Sequence, residues 1–180
     1  MNPLASIRTE YQRYRRQVEL ALEQVADADL HRTLDPDGNS IAVLLRHLGG
    51  NLRSRFTDFL GSDGEKAWRQ RDAEFETTAA TRAELLAQWR EGWRAVEQAL
   101  DAVAAAGPDV FARNVTIRAQ PLTVLDALLR SVAHVASHAG QIVLLARTFV
   151  GPSWRSLSIP RGGSAAYASN PTREKSPDAR

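Results

Sequence analysis

Four stretches of the chain repeat apolar residues every three or four positions, with polar residues between them. In the first, Leu4, Ile7, Tyr11, Tyr14, Val18, Leu22 and Val25 share one face, separated by Arg, Glu and Gln. That is the pattern of an amphipathic helix. It gives way to Asp27-Ala28-Asp29-Leu30 and then to Leu34-Asp35-Pro36-Asp37-Gly38, a polar loop whose Pro and Gly break the period. Asn39-Ser40 offers N-cap chemistry for a second helix. Its stripe runs Ile41, Leu44, Leu45, Leu48, Leu52, Phe56, Phe59 and Leu60, and Gly61-Ser62-Asp63-Gly64 ends it. A charged stretch from Trp68 to Glu76 reads as an ordered loop with buried aromatics.

The third helix has the clearest start. Thr81-Arg82-Ala83-Glu84 matches a capping box, in which hydroxyl and carboxylate each satisfy an orphan backbone N–H. Leu85, Leu86, Trp89, Trp93, Val96 and Leu100 carry the stripe to Gly107-Pro108. Residues 110–119 are extended in character and predict a short strand or hairpin. Pro121 suits the first turn of a fourth helix. There Leu122, Leu125, Leu128, Leu129, Val132, Val135, Ala136, Ile142 and Val143 form a broad face that ends before Gly151-Pro152. Beyond Trp154 periodicity is lost, and from Ser164 the chain is mostly small, polar and charged. The expected architecture is all-α: a four-helix bundle domain over residues 1–163, with a short extended segment before the last helix and a flexible tail over 164–180.

Composition narrows the functional classes. A chain of 180 residues suits one domain with a substantial core. Its formal charge is only +2, and no run of Lys and Arg is interleaved with aromatics, so a nucleic-acid partner is not expected. No apolar stretch approaches the roughly 20 residues that span a bilayer. The N-terminus lacks an apolar signal core, because charge enters at Arg8 and Glu10. The expectation is a cytoplasmic protein with no membrane partner. There is no cysteine, so a transition metal would have to be held by His, Asp or Glu.

The chain has four histidines, His31, His47, His134 and His138. His134 and His138 are one turn apart, about 40° around the helix, so their imidazoles project together. Two helical histidines at this spacing can share one metal ion. The glutamate that turns such a pair into a protease motif is absent, because Val135 follows His134. The pair borders the apolar stripe, and His47, on the row Val43, His47, Asn51, Arg55, borders the stripe of the second helix. Three neutral imidazoles would form an incomplete shell with room for water or substrate, as in catalytic zinc sites. Spacing by itself leaves a second reading open, in which these histidines are ordinary hydrogen-bonded residues at a core boundary.

The segment Asn39-Ser40-Ile41-Ala42-Val43-Leu44-Leu45-Arg46-His47-Leu48-Gly49-Gly50-Asn51 resembles the first signature of DinB/YfiT-like proteins. His134-Val135-Ala136-Ser137-His138-Ala139-Gly140-Gln141-Ile142 resembles the second, and Trp154 to Ser164 is similar to an uncharacterised subgroup of that superfamily. The resemblance implies an up-down-down-up four-helix bundle, homodimerisation, and a divalent-metal site made by His47, His134 and His138. His31 matches no ligand position.

Characterised relatives in that superfamily include metal-dependent transferases and isomerases that use low-molecular-weight thiols. A small-thiol-dependent transferase is therefore the first functional expectation. A metal-dependent hydrolase and a non-catalytic, metal-binding dimeric stress protein are the alternatives. Three imidazoles suit Zn, Ni, Cu or Fe. Asn51, Arg55, Arg130 and Gln141 lie along the two histidine-bearing faces and are the pocket candidates, with Arg130 or Arg55 placed to pair with a substrate carboxylate. Trp89 and Trp93 are either core or part of a dimer interface.

Overall fold

The computed structural model describes residues 3–171. Its elements are α1 (Pro3–Leu22), α2 (Ile41–Phe56), α3 (Arg82–Ala105), the strands β1 (Asn114–Ile117) and β2 (Gln120–Thr123), α4 (Val124–Val150) and a short α5 (Ser164–Ala168). The protein is thus predominantly helical, with one antiparallel hairpin. α2 packs chiefly on α3 and α1 chiefly on α4, while further contacts between α2 and α4 bring the histidine-bearing helices together. Among the described residues no helix is long and apolar enough to cross a membrane.

The predicted stripes form the core. Tyr11, Val18, Ile41, Leu48, Leu52, Trp89, Trp93, Val96, Leu128, Val135 and Ile142 are all sealed from solvent. Trp89 and Trp93 are therefore core residues, each about 1% exposed, and not surface anchors. The helix starts follow their caps. Ser40 Oγ accepts from Val43 N, and Thr81 with Glu84 forms the full reciprocal box. Arg82, the first residue of α3, donates to the carbonyls of Leu22 and Val25 at 3.0 and 2.6 Å. It thereby ties the start of α3 to the end of α1 and to the turn that follows it.

Three boundaries differ from the sequence expectation. α2 stops at Phe56 and does not reach Leu60, because Thr57 turns extended and Asp58 takes a left-handed φ of 49°. Phe59 still reaches the core from the turn that follows. Pro121 does not open α4. It sits in β2 opposite Thr116, and the helix begins after Thr123, whose side chain accepts from Asp126 N. The Thr-x-x-Asp cap, two residues on, outcompetes proline as the start signal. The segment expected as a tail opens with α5, and residues 172–180 lie outside the described residues.

α2 and α3 meet through glycine. A Cβ on Gly49 would lie 2.9 Å from the Gln88 carbonyl oxygen, and one on Gly92 would lie 2.8 Å from the Gly49 carbonyl oxygen. Both obstacles are backbone and cannot swing aside. Gly92→Ala is expected to lower the unfolding free energy by about 1–3 kcal/mol through overpacking. Chemical denaturation would measure it, and an unchanged midpoint would mean that the two helices are not held this closely.

Candidate metal centre

His47 comes from the middle of α2, and His134 and His138 come from successive turns of α4. One ring nitrogen from each lies within 4.8 Å of the others. The three ring centroids are 4.6–5.2 Å apart, with the planes nearly perpendicular. The structure therefore gathers the three histidines from two helices into one cluster compatible with a metal ion. His31 is an exposed loop residue away from it.

His47 is aimed by a residue that periodicity does not mark. Glu74, in the turn Asp72–Phe75, is buried against α2, and its Oε2 lies 2.9 Å from His47 Nδ1. An ionised carboxylate only accepts, so Nδ1 carries the proton and Nε2 presents its lone pair to the cluster. Arg69 grips the same carboxylate with two bonds, Nε to Oε1 at 2.8 Å and Nη2 to Oε2 at 2.7 Å. Burial works against the charge on Glu74, but the Arg69 fork and the His47 N–H outweigh it, holding the carboxyl below the usual carboxylate value. Gly50 makes the approach possible, since a Cβ there would collide with Glu74 Oε1. The Phe75 ring covers His47, with centroids 4.6 Å apart. The loop expected to bury its aromatics thus buries an acid, while Trp68 is 47% exposed and Phe75 half-buried.

The donor set fits a cation. His47 Nε2 and His134 Nε2 are 3.2 Å apart. Two nitrogens bound to one tetrahedral zinc at about 2.0–2.1 Å are about 3.3 Å apart. Two lone pairs at that distance repel unless a proton or a cation lies between them. His138 is oriented by Gln141, whose Oε1 lies 2.8 Å from Nδ1 and leaves Nε2 for the cluster. His134 is pushed down from 6.5 to about 4, by burial first and then by its two neighbouring imidazoles. His138 is lowered too, mainly by burial. Neutral imidazoles are the form that ligates.

Beside the cluster lies a cavity of about 320 Å³. Phe56, Phe59, Phe75, Ile117 and Ala127 give it an apolar wall. Arg55, Arg69, Arg71, Arg118 and Arg130 give it a cationic one, and among the described residues no carboxylate lines it. Of the four pocket candidates, Asn51, Arg55 and Arg130 line this cavity. Gln141 does not and serves His138 instead. Arg55 is already engaged with the Gly64 carbonyl at 2.5 Å and with Glu65 at 3.0 Å, which leaves it poorly placed to take a substrate carboxylate. Arg69 and Arg118 are additions that periodicity missed. The one sequence mark near Glu74 is Gly50, a glycine inside a helix that costs up to about 1 kcal/mol relative to Ala without naming what approaches it. Such a cost marks close approach by another group.

The hairpin rim is built without glycine. Arg118 and Ala119 form its two-residue turn at φ 54° and 58°, left-handed angles usually given to Asn-Gly. Asp63 compensates by accepting from both their N–H groups, at 2.9 and 2.7 Å, and from Glu65 N at 2.7 Å. These backbone donors hold the Asp63 carboxyl far below its ordinary value.

Fold and cluster together define a helical protein with three histidines convergent on one point. The model of a family described as "Protein of unknown function (DUF1572)" matches residues 1–163, and the chain belongs to that family. No curated protein and no solved structure matches it.

The lowered His134 value has a consequence for stability. In the unfolded chain this group takes up a proton near 6.5, whereas in the fold it does so near 4. Its stabilising effect is therefore complete above pH 6.5 and is lost as pH falls toward about 4. In metal-free buffer, the unfolding free energy should drop across that window, and His134→Gln should flatten the drop in part. An equally steep drop in the variant would assign the titration to another group.

Proposed function

We propose that the protein is a metal-dependent enzyme of the DinB/YfiT-like type, built as an up-down-down-up four-helix bundle. His47, His134 and His138 hold a divalent ion such as Zn, Ni or Fe, and the reaction is a small-thiol-dependent transfer. The observation that carries this reading is the trio beside an open cavity, with two of its rings oriented by Glu74 and Gln141. The nearest carboxylate, Glu74, is committed to His47 Nδ1 and Arg69. That leaves the cluster with three protein ligands and a side facing the cavity, whereas a purely structural ion would be closed by a fourth.

The chemistry that such an ion supplies is deprotonation of a thiol, or of water, near neutral pH. The chain's own residues do the rest. Glu74 fixes the tautomer and direction of His47, and Arg69 keeps Glu74 ionised and in place. Gln141 does the same orienting work for His138. Phe75 shields the His47 ring, and the apolar wall of Phe56 and Phe59 limits water beside the cluster. Asn51 and Ser131, both buried and on opposite helices, offer neutral polar groups to a bound substrate.

Elemental analysis of untagged protein is expected to find close to one equivalent of metal, lost in both His47→Ala and His138→Ala. Glu74→Gln should keep the fold and weaken metal affinity by about 10–100-fold, the usual effect of losing a supporting carboxylate. Metal retained in full by His47→Ala would dissolve the trio. A screen of small thiols with electrophiles on the loaded protein then tests the transfer, and hydrolysis with indifference to thiol would replace it with a hydrolase.

A further inference from the structure

The cavity that adjoins the histidines carries more positive charge than its neighbours cancel. Arg55 is tied to Glu65 and Gly64, Arg118 is paired with the same Glu65, and Arg71 is paired with Asp72 while its guanidinium lies over the Phe75 ring. Two arginines remain. Arg130 is exposed on α4, one residue before Ser131, and among the described residues makes no ion pair or hydrogen bond. Arg69 has its side chain only 2% exposed, and its Nε and Nη2 are occupied by Glu74. Its Nη1 is buried with no hydrogen-bond partner. A buried guanidinium N–H without an acceptor is costly. Here it belongs to a residue that lines a cavity beside an unpaired cation and an aromatic wall.

We propose that Arg69 and Arg130 form the anchor for the oxyanion of a small organic acid, whose apolar body lies against Phe56, Phe59 and Phe75. This specifies the electrophilic substrate of the metal-dependent reaction proposed above, and it rests on that reading for where the reacting atoms sit. The oxyanion accepts from Arg69 Nη1 and from the Arg130 fork, a charge-assisted arrangement that a neutral amide of the same shape cannot reproduce. The size of the cavity, about 320 Å³, limits the ligand to a compact molecule at the lower end of small-molecule sites. Carboxylate and phosphate share this chemistry.

The test is calorimetric titration of chelator-treated, metal-free protein with phenylacetate, phenyl phosphate and phenylacetamide. It is repeated on Arg130→Gln and Arg69→Lys after circular dichroism shows that each is folded. Either anion should bind wild type at least tenfold more tightly than the amide. Arg130→Gln should lose at least tenfold for the anions and nothing for the amide, and Arg69→Lys, which keeps a cation for Glu74, should also weaken the anions. The tighter of the two anions identifies the oxyanion as carboxylate or phosphate. Equal binding of anion and amide, no binding of either anion, or indifference to Arg130→Gln would overturn the proposal. A loss confined to Arg130→Gln would overturn the pairing with Arg69. Because the titration contains no metal, a failed metal assay with intact anion binding would reject only the metal reading, and the reverse would reject only the anchor.

Discussion

A carboxylate removed from water has to be matched on every side, and Glu74 organises its surroundings through that requirement. It is one of the few buried polar residues among the described residues. Its charge is held by the Arg69 fork on one edge and by the His47 N–H on the other. To receive it, α2 must lack a side chain at Gly50. To deliver it, the chain leaving α2 must turn back and lay the Asp72–Phe75 turn on that helix. The direction of His47 follows from those conditions, and with it the meeting point of the three imidazoles.

The parts of this arrangement that were legible in the sequence are those with a short period or a fixed spacing. The core stripes, the Ser40 and Thr81 caps and the His134–His138 pair depend on residues within a turn or two of one another, and the structure contains them. The meeting of His47 with that pair was carried by motif resemblance, because periodicity cannot say which helices touch. Glu74 and Arg69 were illegible for a different reason. They lie in a loop with no period, and their partner His47 is 27 residues from Glu74 in sequence. The same stretch drew attention to its aromatics, since large rings are usually the buried members of a loop. Here charge pairing buried the acid and left Trp68 outside, stacked with Arg53 at 4.5 Å. Pro121 misled because a proline that suits a first helical turn also suits an edge strand.

Electrostatics divides the cavity from its surroundings. The acids that balance its arginines, Glu65, Asp72 and Glu74, stand behind them and not in the lining. Arg55, Arg69 and Arg118 are thus held by acids outside the cavity, while Arg130 adds a positive charge with no acid paired to it among the described residues. Fixed dipoles and charges aimed into a space with apolar walls act more strongly than the same groups in water. The lowering of His134 and His138 belongs to the same setting, since burial dominates at both, and at His134 the neighbouring imidazoles and then Arg69 and Arg55 add to it.

The Arg118-Ala119 turn carries one further consequence, for how the rim of the cavity is held. A two-residue hairpin is ordinarily among the most local of structures and forms early. This one takes left-handed angles at two non-glycine residues, and the acceptor that compensates for them, Asp63, is 55 residues away from Arg118. The hairpin therefore inherits the loop-closure entropy of a long-range contact. The rim of the cavity is accordingly fastened by a contact made across 55 residues of chain, and the shape of its turn depends on the loop that follows α2.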